Sequence, residues 1–237
     1  MTVKPPPSSP EPPFSVRAPF LLLEEEGVTR LTLVRHGQQH YPDGDYDPAE
    51  WEDPPLSGLG RMQAMAAATH LGEQDVDVVA CSTMRRALET AQIIASPHEL
   101  EPVVRPDMVE IQSYRDLEPG VDPRDLMDPA EWQAREDQFV KRVMWDLIPF
   151  SEGSAEFRER VRRGFDALLA DYAGLNVVLV SHGGVINAFL GDILGIEEDL
   201  FFLPNHCSIT TVWIKGDVRR VHSMNERQHL HIGLLTN

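Results

Sequence analysis

Two imidazoles, two guanidinium groups and a carboxyl stand in short polar clusters that each follow an apolar run. Arg35 and His36 follow Leu31–Val34 and precede Gly37. Ser82 and Arg85 follow Val76–Cys81, and Glu110 follows a weaker run that begins at Val103–Val104. Ser181, His182, Gly183 and Gly184 follow Asn176–Val180. An imidazole ring nitrogen, unprotonated and held in one tautomer, is a nucleophile. A guanidinium stays charged and offers a planar fork of donors to an oxyanion. A carboxyl can give a proton and take one back. Such a set can bind an anion and do acid–base and nucleophilic work, provided the chain brings it to one place.

The apolar runs supply that place. Leu31–Val34, Val76–Cys81 and Asn176–Val180 are short and continuously apolar, the pattern of strands buried on both faces. Between them lie helical patterns. One opens at Pro54–Ser57, with Ser57 as N-cap, and runs to about Leu71. The next runs from Met84 to about Ala95, with Ser82 as its cap and Met84, Leu88, Ala91 and Ala95 on one face. Phe157, Val161, Phe165, Leu168 and Tyr172 mark a third, and Val185–Leu194 is an apolar helix. Ser208–Ile214 and Arg219–Ser223 read as closing strands. Strands alternating with helices predict an α/β fold: a three-layer sandwich with a mostly parallel central sheet flanked by helices. In such sheets ligands sit beyond the carboxyl ends of the strands, where the polar clusters fall.

Residues 119–150 interrupt the alternation with Pro119, Pro123, Pro129 and Pro149 around a helical stretch carrying Trp132, Phe139, Val143 and Leu147. They read as a helical insertion in a domain spanning 29–237, with the aromatics as helix packing. Residues 1–28 read as a disordered or polyproline-like tail, because seven of the 19 prolines lie in residues 1–19.

The balance of 21 Lys and Arg against 38 Asp and Glu gives a net charge of −17. That argues against nucleic acid or an anionic membrane as partner, and any site for an anion must be made positive locally. No apolar run approaches the roughly 20 residues of a membrane span, and the N-terminus lacks the apolar core of a signal peptide. Two cysteines, Cys81 and Cys207, cannot build a disulfide framework. A cytoplasmic setting is the expectation. An edge strand and the tail could serve a homodimer, although no residue pattern argues for one.

The segments LVRHGQQ (33–39), PLSGLGRMQA (55–64), STMRRALETAQ (82–92), VEIQ (109–112) and VSHGGVI (180–186) resemble, in order, motifs of the histidine phosphatase superfamily, and more narrowly of its phosphoglycerate mutase-like branch. PNHCSIT (204–210) is similar to that branch as well, and the resemblance runs from about Arg30 to His231. It implies a phosphoglycerate mutase-like fold and a small phosphorylated substrate whose phosphoryl group is carried on His36. Arg35, Arg85 and His182 would surround the phosphoryl oxygens, with His182 a third positive group if cationic. Gly37, Gln38 and Gly183 would border the substrate, and Glu110 would be the general acid and base, with Glu118, Asp116 and Asp43 as rivals. No cofactor and no metal is implied.

Adjacent Arg86 reads as facing solvent or an acidic neighbour, Cys81 as a small core residue, and His222, His229 and His231 as surface or strand-edge residues. His206–Cys207 lacks the second ligand pair that a zinc site would need. Mutases of this branch show E-R-H-Y-G at the acid and an asparagine soon after R-H-G. Here Ile111, Gln112, Ser113 and Tyr114 follow the acid, and Pro42 stands at the asparagine position. The departure favours hydrolysis of a phosphomonoester over phosphotransfer of the mutase type. A phosphate-binding regulator without catalysis is the third reading.

Overall fold

A computed structural model of the chain describes residues 26–40, 53–113, 115–118 and 121–237. The proline-rich segment up to residue 25, and with it Asp43, Pro42 and Tyr114, lies outside the described residues.

Among the described residues six strands form one sheet: β1 (Thr29–Arg35), β2 (Val78–Cys81), β3 (Val103–Val104), β4 (Asn176–Ser181), β5 (Ile209–Lys215) and β6 (Val218–Glu226), in the spatial order β3-β2-β4-β1-β5-β6. The first four in that order run parallel, while β5 and β6 are antiparallel to their neighbours. β1 alternates between two cores. Leu31 and Leu33 join Val177, Leu179, Phe157, Phe165 and Phe189 on one side, whereas Val34 joins Val178, Val180, Ala64, Ala91 and Ile94 on the other. Helices α4 (Ser154–Asp171) and α5 (Gly183–Leu194) cover the first face, and α1 (Gly58–Leu71) and α2 (Arg85–Ala95) the second. The fold is therefore the three-layer α/β sandwich the alternation predicts.

Ser57 caps α1, accepting from the amide of Gly60. The insertion holds α3 (Pro129–Lys141), capped by Asp128, and one-turn 3₁₀ helices on either side. The expected packing of its aromatics holds only in part. α3 buries no residue completely, and Val140 is 84% exposed. Phe139 lies against Trp145, which meets the edge of Phe157, both with ring centroids 6.2 Å apart. Trp132 and Leu147 instead line an open cleft of about 460 Å³ with Phe139 and Ile148. A helix resting on the domain by one edge needs few apolar residues, which is why its apolar face is so narrow. Among the described residues no helix is long and apolar enough to cross a membrane.

Candidate active site

Strand register assembles the site. Arg35 pairs with Ser181, and Val180 with Cys81, so three chains leave the sheet at one level. The amide of His36 donates to the carbonyl of Ser181 (2.9 Å), and that of Ser82 to the carbonyl of Val180 (3.1 Å). His36 and His182 thus face each other with ring centroids 5.0 Å apart, and both are buried.

His36 Nδ1 lies 2.7 Å from the carbonyl oxygen of Gly37. A carbonyl only accepts, so Nδ1 carries the ring proton and Nε2 keeps its lone pair. Arg86 donates from Nε to that Nε2 at 3.3 Å. Burial, then the proximity of His182, Arg86 and Arg35, pushes the His36 pKa well below the usual imidazole range, so the ring is neutral at pH 7.

The guanidinium beside the nucleophile is that of Arg86, which corrects the expectation for both arginines. Arg86 is 7% exposed, while Arg85 is exposed and its backbone amide donates to Asp53 Oδ1 (2.9 Å). The chain stays extended through Met84, which forms the N-cap without a side-chain bond, and the helix starts at Arg85. The buried face is then Arg86, Ala87, Thr90, Ala91, Ile94 and Ala95. Arg86 also lies 3.6 Å from Asp53, so the acidic neighbour expected for it exists, but the side chain points inward. Ser82 does not cap the helix as expected. Its hydroxyl accepts from the amide of Met84 (3.2 Å) and bonds His182 Nε2 (2.9 Å).

His182 is not the third cation. Burial, then Arg86, Arg35 and Arg160, holds its pKa well below the imidazole range. Its Nδ1 is buried without a hydrogen-bond partner among the described residues. Arg35 donates from Nη1 to the carbonyl of Pro204 (2.5 Å), and its Nε lies beside Gly183 at the start of α5. Glu110 reaches the other side of that helix start. Its Oε2 accepts from the amide of Gly184, and its Oε1 from that of Ile111, both at 3.0 Å. A Cβ at residue 184 would overlap the Glu110 carboxylate and touch Phe157. Of the rival carboxylates, Glu118 and Asp116 are exposed, and Asp116 pairs with Arg115.

The structure gives Gly37 and Gln38 protein partners. The Gly37 amide donates to Thr90 Oγ1 (3.1 Å), and the close approach made there is that of Gly60, whose carbonyl would stand 2.5 Å from a Cβ. Gln38 accepts from Ser57 through Oε1 (2.9 Å) and donates its amide to Gln63 (2.8 Å). His206, unassigned in the sequence, is buried with its ring 5.6 Å from that of His36. Its Nδ1 meets Thr236 Oγ1 (2.8 Å) and its Nε2 meets Gln39 Oε1 (3.2 Å). Burial, then Arg35 and Arg86, takes its pKa down to about 3.

Three neutral imidazoles in one pocket make the fold sensitive to acid. Each binds a proton in the unfolded chain near pH 6.5 and resists it when folded. Their contribution is therefore present above pH 6.5 and is lost as pH falls below it, at up to about 1.4 kcal/mol per pH unit for each ring. His206→Asn should flatten the slope of unfolding free energy against pH by about that amount between pH 6.5 and 4. Denaturant titrations of the two proteins measure it, and parallel slopes would refute the assignment.

A family model described as "Histidine phosphatase superfamily (branch 1)" matches residues 31–227. The chain is 31% identical over 191 residues to a Yersinia enterocolitica protein named "Probable phosphoglycerate mutase GpmB", covering 78% of this chain and 85% of that one. Among solved structures it resembles the α-ribazole phosphatase of Shigella flexneri (29% identity, TM-score 0.66, 84% of this chain and 96% of that one). It also resembles mycobacterial glucosyl-3-phosphoglycerate phosphatase (26% identity, TM-score 0.64, 84% and 99%).

Proposed function

The chain belongs to the histidine phosphatase superfamily, branch 1, and from that premise we propose that it hydrolyses a small phosphomonoester through a phosphohistidine at His36. The observation that carries the reading is the pairing of His36 Nδ1 with the Gly37 carbonyl while Nε2, unprotonated, points at Arg86. Nε2 attacks phosphorus, the N–P bond forms, and the bond from phosphorus to the ester oxygen breaks. The protonated carboxyl of Glu110 gives its proton to the leaving alkoxide, which departs as the alcohol. The resulting carboxylate takes a proton from water, whose oxygen attacks phosphorus. The N–P bond then breaks, releasing inorganic phosphate and restoring neutral His36 and the acid.

Phosphoryl transfer is mostly positioning and charge stabilisation. Arg35 and Arg86 supply fixed positive charge inside a protein of net charge −17. His182 adds a donor, and takes up a proton as the arriving dianion raises its pKa. No metal enters this scheme.

The likenesses to α-ribazole and glucosyl-3-phosphoglycerate phosphatases support hydrolysis. The name of the Yersinia relative favours a second reading, phosphotransfer of the mutase type. The two separate in one assay: 3-phosphoglycerate with and without 2,3-bisphosphoglycerate, alongside a panel of phosphomonoesters in the presence of EDTA. The expected result is free phosphate from at least one ester, with release outpacing any formation of 2-phosphoglycerate. Isomerisation faster than phosphate release would establish the mutase instead.

A further inference from the structure

The segment that carries Glu110 has little regular structure to hold it. β3 ends at Val104, and only the one-turn helix Pro106–Met108 intervenes before Glu110. A general acid must keep its carboxyl within hydrogen-bond reach of the leaving oxygen, and a misplacement of about 1 Å can cost on the order of 100-fold in rate. Something other than a strand ladder has to fix this stretch.

Arg160, on α4, meets it directly. Its Nη1 donates to the carbonyls of Asp107 (2.9 Å) and Val109 (3.0 Å), and its Nη2 to the carbonyl of Glu110 itself (3.4 Å). Nε and Nη2 also donate to the two carboxylate oxygens of Glu152, each at 2.7 Å. The five N–H groups of the guanidinium thus meet five acceptors. Glu152 is 5% exposed, and its amide donates to the carbonyl of Gln112, two residues beyond the acid. The guanidinium lies over the Phe157 ring, 5.1 Å from its centroid, and that ring stands behind Gly184, whose amide holds Glu110 Oε2.

We infer that Arg160, fixed by Glu152, is the positioning residue for the Glu110 carboxyl, clamping the backbone on both sides of it and setting the efficiency of proton delivery to the leaving group. The inference rests on the reading of Glu110 as general acid. A buried ion pair adds little net stability over apolar packing, so its use here points to orientation: one planar fork spans the carbonyls of Asp107, Val109 and Glu110 along an irregular chain. Lysine keeps the charge but has no fork, and cannot reach all three carbonyls and both Glu152 oxygens at once.

Leaving-group dependence tests this, because p-nitrophenolate departs without a proton and an alkoxide does not. The measured quantity is kcat/KM for p-nitrophenyl phosphate and for glycerol 2-phosphate, in wild type, Glu110→Gln, Arg160→Lys and the double variant. Glu110→Gln should lose on the order of 100-fold or more on the alkyl ester and far less on the aryl ester. Arg160→Lys should lose about tenfold on the alkyl ester and under about threefold on the aryl ester. The double variant should be no more selective than Glu110→Gln alone.

Equal losses on both esters for Arg160→Lys, while Glu110→Gln discriminates between them, would overturn the inference and leave the acid in place. No discrimination by Glu110→Gln would remove the acid, and the inference with it. Should Arg160→Lys melt well below wild type, Glu152→Gln, which keeps the size of the partner and removes its charge, is judged by the same ratio.

Discussion

His36→Ala should leave no more than about one part in ten thousand of the wild-type kcat. Phosphate release from p-nitrophenyl phosphate measures it, and acid-resistant folding is not at issue because the assay runs at pH 7. The size of the loss follows from the geometry. The ring is buried, its Nδ1 proton is committed to Gly37, and its Nε2 is the atom at which the Arg86 guanidinium points. Among the described residues, His206 has both ring nitrogens bonded, to Thr236 and Gln39, and His182 is bonded through Nε2 to Ser82. Wild-type protein denatured in alkali during turnover of radiolabelled substrate should retain label, and the variant should not. A variant that kept a tenth of the activity would exclude His36 as the phosphoryl carrier.

Arg86→Ala and Arg85→Ala should differ by a wide margin. Removing one preorganised donor from a site of developing charge costs about 100–1,000-fold in turnover, and Arg86 is such a donor. Arg85→Ala removes an exposed side chain whose residue is tied into the structure by its backbone amide, to Asp53, and that bond survives the substitution. Its kcat/KM should stay within about twofold of wild type, as surface substitutions generally do. Steady-state kinetics of the two variants on one ester decide the matter, and the reverse order would return the phosphate to Arg85.

That pair shows how far the site was legible in the residues. The strand tips were readable because buried parallel strands are short apolar runs, and the polar residues after them have to emerge at one edge. His36, His182, Arg35 and Glu110 are brought together there. The choice between Arg85 and Arg86 turns on helix phase, and a shift of one residue reverses it. Placing Met84 and Leu88 on the inner face turns Arg86 outward. The better signal was the run Ala87, Ala91, Ile94 and Ala95, small and apolar at helical spacing, which turns Arg86 and Thr90 inward together.

For other partners the role has no signal in periodicity or strand-end position. His206 reaches the pocket only because β5 returns antiparallel beside β1, and Cys207, at φ 54°, donates its amide to the carbonyl of Arg35. Gln63 joins Gln38 to Leu234 across more than 170 residues of chain. Arg160 looks like an ordinary charged residue of an amphipathic helix until the irregular stretch around Glu110 is laid across it.

The three uncharged rings have a bearing on selectivity. At rest the fixed positive charge around His36 is that of the Arg35 and Arg86 guanidinium groups, and the imidazoles contribute only dipoles. On the proposed reading a doubly charged guest would draw a proton onto His182 alone, because His36 must keep its Nε2 lone pair and His206 has both ring nitrogens bonded, so the site would be most strongly cationic once loaded. Singly charged anions such as chloride or a carboxylate would recruit less of that response. On that reading, discrimination for a phosphate over singly charged ions would rest on this one proton rather than on standing charge.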